Sequence, residues 1–222
     1  MKKTFIISAL LLLCGAVYAQ EHMVLHVGGG LTSLYGRSTK NIGTFCVGLG
    51  YEHEFDQKWS ITASALYFAK GWKEHDEIVP ILDDNKQPVY TEKGDQLFGK
   101  KSVRSYGNYL QIPVMMNYYI RLASPHYVSL SAGPYVAYGM WGKTETYGDT
   151  DKECSKRYYY DKNTFGDAGM HRFDAGLSVK IGYEYNRQIS IGAHADLGLL
   201  KVDPRGGKNR TLYLSLMYRL FE

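Results

Sequence analysis

The chain has 222 residues, of which 45% are hydrophobic, 14% aromatic and 22% charged. This length is enough for one domain, and the hydrophobic content is too high for a disordered chain. Lys and Arg number 26 against 22 Asp and Glu, and this net charge of +4 is scattered along the chain, which excludes a footprint for nucleic acid.

The first twenty residues have the pattern of an export signal. Lys2 and Lys3 give a positive start, an apolar run follows over residues 5–13, and a small residue, Ala19, ends the segment. We predict cleavage after Ala19, so that residues 1–19 are a signal peptide and residues 20–222 are the mature domain. The apolar run is too short for a transmembrane helix, which needs about 20 apolar residues.

The cysteines bear on export as well. Cys14 follows Leu13, whereas lipid attachment requires a small residue directly before the cysteine, so we do not predict a lipoprotein. Cys46 and Cys154 remain in the mature chain. Export permits a disulfide between them, although their wide separation disfavours one, and the sequence leaves this pair open.

The mature chain alternates apolar and other residues with a period of two. Eight such series occur in chain order, at residues 25–31, 45–51, 59–67, 110–120, 128–138, 173–183, 189–199 and 212–220. No long window favours the helical period, so the pattern predicts an all-β domain with eight strands. Bulges are expected at Pro113 and Pro134, because proline removes a ladder donor.

The connections between the series alternate in length. The longer ones are residues 35–43, 71–105, 141–170 and 201–210, and the shorter ones are 55–58, 123–126 and 186–188. The connections 71–105 and 141–170 are rich in Lys, Asp, Glu, Gly and Tyr, as solvated loops are. An antiparallel up-and-down meander with its short turns at one end is typical of a transmembrane β-barrel, with short periplasmic turns and long extracellular loops.

Alternation alone allows the apolar face to point inward, as in a soluble secreted barrel that binds an apolar ligand, or outward into lipid. The opposite face consists of small residues with a few charges, which suit the narrow interior of an eight-stranded barrel. Aromatic residues end many of the apolar series, as girdles at the two headgroup levels would. We therefore predict that the apolar face contacts outer-membrane lipid.

Four short motifs carry a resemblance to a known family. They lie at residues 109–114 (YLQIPV), 132–135 (AGPY), 173–176 (FDAG) and 182–184 (GYE). These motifs resemble those of small porin-like barrels in the outer-membrane protein β-barrel domain family, including its PorT-like members, and the similarity spans essentially the whole mature chain. The resemblance implies an eight-stranded barrel in the outer membrane of a Gram-negative-type cell, and it specifies function poorly.

Charged residues on the lumen-facing side form a balanced set of four acids and four bases. They are Glu52, Asp174, Glu184, Asp196, Lys70, Arg121, Lys180 and Arg219. Charges in a confined interior are costly unless they are paired, so we predict a salt-bridge network that plugs the lumen. The alternative is a narrow channel for ions or small solutes, since general diffusion needs about 16–18 strands.

The connection 141–170 contains a group of cations beside aromatic residues, namely Lys156, Arg157, Tyr158, Tyr159 and Tyr160. Such a group favours recognition of an extracellular glycan or protein, and it also fits local packing of the loop on the barrel rim. The sequence thus predicts a monomeric, surface-exposed structural or binding module with a plugged lumen.

A lipid-modifying barrel enzyme is the less favoured alternative. Ser190, His194 and Asp196 share the lumen row of one strand, but side chains in one row point parallel rather than converging. We predict no catalytic site, no cofactor and no metal site.

Overall fold

The computed structural model describes residues 21–83, 85, 87–149 and 157–220. The signal peptide predicted over residues 1–19 therefore lies outside the described residues, as do Cys154 and Lys156. Within the described part of the chain, no helix is long and apolar enough to cross a membrane.

The described residues form eleven strands, all paired antiparallel. Their bounds are β1 (Glu21–Tyr35), β2 (Thr39–Lys40), β3 (Ile42–Glu54), β4 (Trp59–Glu74), β5 (Glu77–Pro80), β6 (Phe98–Ala123), β7 (His126–Asp149), β8 (Arg157–Asn163), β9 (Phe173–Tyr185), β10 (Ile189–Gly198) and β11 (Lys208–Arg219).

Eight of these strands close into a barrel. The pairing order is β1-β3-β4-β6-β7-β9-β10-β11, and β11 pairs back with β1. Each predicted apolar series falls on one of these strands, so the eight-stranded antiparallel barrel is confirmed. The turns after β3, β6 and β9 lie at one end, which we call the short-turn end, and the opposite end is the long-loop end.

Burial alternates along the barrel strands as predicted. Ile112 is 42% exposed and Leu214 is 65% exposed, whereas their neighbours Gln111 and Tyr213 are 0% and 5% exposed. Successive side chains in a strand point to opposite faces. The apolar residues therefore form the outer surface of the barrel, and polar and large aromatic residues fill its interior.

Aromatic side chains mark both ends of this outer apolar band. Trp59 and Tyr118 lie side by side near the short-turn end, with ring centroids 4.7 Å apart. Tyr67 contacts Phe45 and Trp141 toward the long-loop end, at 5.6 and 6.0 Å. Trp59 and Tyr67 lie on the same strand, about 26 Å apart along it at roughly 3.3 Å per residue. At a strand tilt of about 35–45° this is a height of about 19–22 Å, close to the apolar band of about 25 Å in an outer-membrane barrel.

The strands continue well beyond this band at the long-loop end. β6 has 26 residues and β7 has 24, and they pair as far as Lys101 and Gly148. The short strand β5 pairs with β6, and β8 pairs with β7. We call these four strands beyond the band the sheet extension.

The prediction of solvated loops over residues 71–105 and 141–170 is therefore wrong for much of their length. Cross-strand pairs such as Val103–Thr146 and Ser105–Thr144 continue the barrel ladder instead. Both faces of the extension carry polar and charged residues. The apolar alternation that marks the membrane-facing strands is consequently absent from the sequence here.

The bulges predicted at Pro113 and Pro134 are also wrong. Both prolines keep the register of the neighbouring pairs, and the register shifts between β6 and β7 lie elsewhere. A side-chain Cβ built at Gly133 would lie only 1.8 Å from the backbone oxygen of Val114. The lack of a side chain beside Pro134 thus allows the strands to approach closely rather than bulge.

Replacing Gly133 with alanine is expected to lower the free energy of unfolding by about 1–3 kcal/mol, because the added methyl group would collide with backbone that cannot easily move. Urea titration of the folded barrel in lipid vesicles, followed by tryptophan fluorescence, measures this loss. Gly43→Ala is the matched control, since no atom lies within 4 Å of a Cβ built there. Equal stability of the two variants would contradict the close approach.

Candidate functional site

An ion-pair cluster around Glu52 occupies the lumen near the short-turn end. Arg219 donates Nε and Nη2 to the two carboxylate oxygens of Glu52, at 2.8 and 3.0 Å. Ser60 and Tyr119 each donate to Glu52 Oε1 at 2.5 Å. A fork of this kind is the strongest arrangement for an arginine and a carboxylate. The cluster thus links β3, β4, β6 and β11 across the barrel.

Glu184 and Lys180 extend this cluster toward the middle of the lumen. Glu184 lies 3.7 Å from Arg219 and 3.8 Å from the Lys180 ammonium. Lys180 also donates to Ser190 Oγ at 3.0 Å. Both charged side chains are nearly fully buried, so their mutual contacts offset part of the cost of desolvation.

Arg187 covers the short-turn end of the cluster and was not among the predicted lumen charges. Its guanidinium lies 4.1 Å from the Tyr119 ring centroid and 2.8 Å from Glu54. Asn186 and Arg187 form the tight turn between β9 and β10, with φ values of 51° and 53°. Glycine is usual at the second of these positions. An arginine in this left-handed conformation therefore indicates that its side chain is needed at this place.

A second ion pair lies toward the long-loop end. The Lys70 ammonium is 3.4 Å from Asp174, and the two side chains are 1% and 0% exposed. Tyr135 and Asn209 donate to Asp174 Oδ2 at 3.2 and 2.9 Å. The same ammonium lies 4.5 Å above the Tyr135 ring. A buried charge pair with further hydrogen bonds and a cation–π contact fills this section of the lumen.

Asp196 is held separately from that pair. It accepts hydrogen bonds from Gln111 at 2.9 Å and from Ser178 at 2.6 Å. Polar uncharged residues such as Gln111 and Tyr119 were not singled out from the sequence, although the two-residue period already places them on the lumen side.

Arg121 is the exception among the eight charges expected in the lumen. Its side chain is exposed, and it is paired with Tyr127 close to the turn after β6, where the register shifts. The lumen cluster reaches only as far along β6 as Tyr119. The prediction that Arg121 lies in the lumen is therefore wrong. Arg121 follows Tyr119 on β6 and lies beyond the short-turn end of the lumen. The other seven charges lie inside the barrel.

Aromatic and apolar side chains fill the space between and beyond the ion pairs. Leu66 and Phe68 point into the lumen, and Phe68 packs edge-on against Tyr213 at 5.2 Å. At the long-loop end, a buried apolar cap covers the lumen. The cap comprises Leu34, Trp72, Tyr109, Tyr135, Ala137, Phe165, Met170 and Val202. The rings lie against glycines of the lumen face, such as Phe165 against Gly139 and Tyr135 against Gly176.

The remaining lumen cavities are small. One lies beside Glu52 and Lys180 and another beside His26 and His194, each of about 20 Å³. Such a cavity holds about one water molecule. At these two places the described side chains leave little free space in the lumen.

Ser190, His194 and Asp196 do not form a catalytic arrangement. His194 Nε2 lies 2.7 Å from Ser215 Oγ, and its ring stacks on Tyr213 at 4.5 Å. Ser190 instead accepts from Lys180. Each member of the row thus contacts a different partner in an enclosed interior. In the described part of the chain, no three His, Cys, Asp or Glu side chains are grouped as a metal site.

Cys46 is a free, buried cysteine in the lumen, packed with Leu66, Phe68 and Tyr213. Cys154, with which the sequence leaves a disulfide open, lies outside the described residues.

A cleft of about 380 Å³ opens at the long-loop end, and we call it the outer cleft. One wall is a face of the sheet extension, built from the cross-strand rows Val103–Thr146–Tyr160 and Ser105–Thr144–Lys162. The other wall contains Trp72, Glu74, Asp167, Met170, Asp203 and Arg205. Residues far apart in the sequence thus meet in one open site.

An ion-pair network fixes the second wall of the outer cleft. Arg37 lies 2.9 Å from Glu74 and 2.8 Å from Asp203, and Arg205 lies 2.9 Å from Glu74. Burial acts to lower the pKa of Arg37, but the hydrogen bond to Glu74 and the nearby carboxylates outweigh it, so that this pKa is raised above its usual value. Arg37 stays charged and joins three loop segments.

The five residues of the predicted loop recognition group do not form one patch. Lys156 lies outside the described residues, and Arg157 and Tyr158 begin β8. Tyr159 donates to Glu145 on one face of the sheet extension, whereas Tyr160 lines the outer cleft on the other. Successive side chains of a strand point to opposite faces, so Tyr159 and Tyr160 cannot belong to one patch.

The chain is similar to several known proteins. Residues 33–203 match the family model described as outer membrane protein beta-barrel domain. A solved structure of Ail, the attachment invasion locus protein of Yersinia pestis, in complex with the heparin analogue sucrose octasulfate is 13% identical, covers 91% of this chain and 99% of its own, and has a TM-score of 0.37. Neisserial surface protein A is 11% identical with the same coverage and a TM-score of 0.42. A search of curated proteins found no match to this chain.

Proposed function

Because the chain belongs to the outer membrane protein beta-barrel domain family, we propose that it is a closed monomeric barrel that displays a ligand-binding module outside the cell. The family assignment places the barrel in the outer membrane. Short turns of such barrels face the periplasm and long loops face outward. The sheet extension and the outer cleft are accordingly extracellular.

The filled lumen is the observation that carries this proposal. Among the described residues, two buried ion-pair clusters, the rings between them and the apolar cap fill the lumen, and the two cavities beside Glu52 and beside His26 measure about 20 Å³ each. General-diffusion porins need about 16–18 strands to hold an aqueous channel, and this barrel has eight. The structure therefore favours the plugged barrel over a narrow channel.

The sheet extension supports a role outside the cell. Crossing the bilayer takes about 9–11 residues of a tilted strand, and β6 and β7 are more than twice that length. Their outer parts pair with each other and form one wall of a polar cleft of about 380 Å³. A paired extension with an open cleft suits recognition better than transport, because binding sites are commonly preformed concave surfaces.

The proposal predicts an electrically silent barrel. Purified full-length protein inserted in planar bilayers is expected to show no steady open level, because the buried side chains block the lumen. A general-diffusion porin measured in the same bilayers is the positive control for the recording. A reproducible single-channel conductance of the folded barrel would overturn the proposed function and would favour the narrow-channel alternative.

A further inference from the structure

We propose that the outer cleft binds an uncharged oligosaccharide. The inference rests on the proposed function, because it requires the cleft to face outward from a closed barrel. Three features of the cleft carry it: the hydrogen-bonding direction of its hydroxyl groups, its lack of excess positive charge and its exposed Tyr160 ring.

Hydroxyl groups on the sheet extension form a directed chain. Thr164 Oγ1 donates to the Tyr106 carbonyl at 2.9 Å. The 3.1 Å contact between Thr144 and Thr164 is therefore donated by Thr144, since a hydroxyl has one proton. The 3.0 Å contact between Ser105 and Thr144 is in turn donated by Ser105. Thr144, which is less buried than Ser105, thus presents a lone pair and not a proton to the cleft.

The direction of these hydrogen bonds determines which ligand groups the cleft wall can bind. Groups that offer only lone pairs require a partner with O–H or N–H donors. Ionised phosphate, sulfate and carboxylate groups are acceptors, and the Thr144 hydroxyl offers them no proton. A sugar offers several hydroxyl donors at once, so the cleft wall is complementary to a polyhydroxylated ligand.

The charges of the cleft are nearly balanced. Arg37 and Arg205 are paired with Glu74 and Asp203 in the network of the second wall. The further charged residues that line the cleft are two bases and two acids, namely Lys101, Lys162, Glu77 and Asp167. Arg37 does not line the cleft itself, so the lining contains four acids and three bases and has no excess of positive potential to attract a polyanion. An uncharged ligand is favoured on this ground as well.

An exposed aromatic ring completes the site. Tyr160 lines the cleft from β8 and is 47% exposed, whereas Trp72 in the opposite wall is only 4% exposed. An exposed ring such as that of Tyr160 supplies rigid apolar contact area, which suits the C–H face of a sugar. The volume of about 380 Å³ falls within the roughly 300–1,000 Å³ range of ligand pockets.

The experiment uses full-length detergent-solubilised barrel on an array that carries neutral oligosaccharides of glucose, galactose, mannose and N-acetylglucosamine beside sulfated and sialylated counterparts. We expect retention on neutral members. Thr144→Val, which removes the hydroxyl at nearly constant shape, should weaken retention about 10-fold, and Thr144→Ser should restore it. Arg104→Gln, on the other face of the same sheet extension, is the matched control and should bind as the parent does.

Tyr160→Ala provides an independent test, because Tyr160 is exposed and lies on β8, outside the closed ring of eight strands. It too should weaken retention. Retention of sulfated or sialylated members alone, no retention of any member, or equal retention by Thr144→Val and the parent would each overturn the inference. A silent barrel that retains no neutral oligosaccharide refutes the ligand assignment alone, whereas a conducting barrel refutes the proposed function whatever the array shows.

Discussion

Replacing Lys70 with methionine is expected to lower the free energy of unfolding by about 3–5 kcal/mol, among the largest effects of a single substitution in this barrel. Methionine keeps the apolar stem but removes the ammonium that lies 3.4 Å from Asp174. The Asp174 side chain is 0% exposed, so its carboxylate would stay buried without its ion-pair partner. Urea titration in lipid vesicles measures the loss.

Two further variants make this result interpretable. Lys58→Met changes the same residue type at an exposed turn and should alter stability by less than about 0.5 kcal/mol. Asp174→Asn, combined with Lys70→Met, should recover part of the loss, because neither partner then leaves a buried charge behind. A Lys70→Met barrel as stable as the Lys58→Met barrel would refute the buried pair.

Glu52→Gln is expected to lower the free energy of unfolding by about 3 kcal/mol, near the lower end of the range for breaking a buried ion pair. Arg219 would lose its forked carboxylate partner, but Glu54 and Glu184 both remain at 3.7 Å. Those two carboxylates should still compensate part of the Arg219 charge, which limits the loss of unfolding free energy. The free energy of unfolding from the same urea titration checks the value.

Arg121→Gln is the matched control for Glu52→Gln. It removes a charge near the same end of the barrel, but from an exposed side chain outside the cluster. We expect a change of less than about 0.5 kcal/mol. If Arg121→Gln destabilised the barrel as much as Glu52→Gln, the placement of Arg121 outside the lumen would be wrong.

The membrane-crossing part of the fold could be predicted from the sequence for a physical reason. One face of each strand meets lipid and the other meets the lumen, so residues such as Ile112 and Gln111 alternate sharply in polarity. The same period predicts which residues point inward. Seven of the eight expected charges lie in the lumen. The prediction is wrong for Arg121, because the lumen ends before the strand reaches this residue.

The sheet extension could not be predicted in the same way. Outside the bilayer both faces of β6 and β7 are polar, so pairs such as Ser105–Thr144 leave no apolar alternation to detect. The outer cleft is harder still to predict, because Trp72 and Arg205 come from distant segments that meet only when the barrel closes. Arg187 was missed because a turn residue has no strand period, although its left-handed position was informative.

The length of the β6–β7 ladder sets how far the outer cleft stands above the bilayer. Leu110 pairs with Tyr67 near the upper limit of the apolar band, and Val103 and Ser105 lie five to seven residues further along β6. At roughly 3.3 Å per residue and a tilt of about 45°, this is a height of about 12–16 Å above the hydrocarbon. The headgroup layer occupies about 5–7 Å on each side of that core. The site consequently stands above the headgroup layer, where the lipid surface does not cover it.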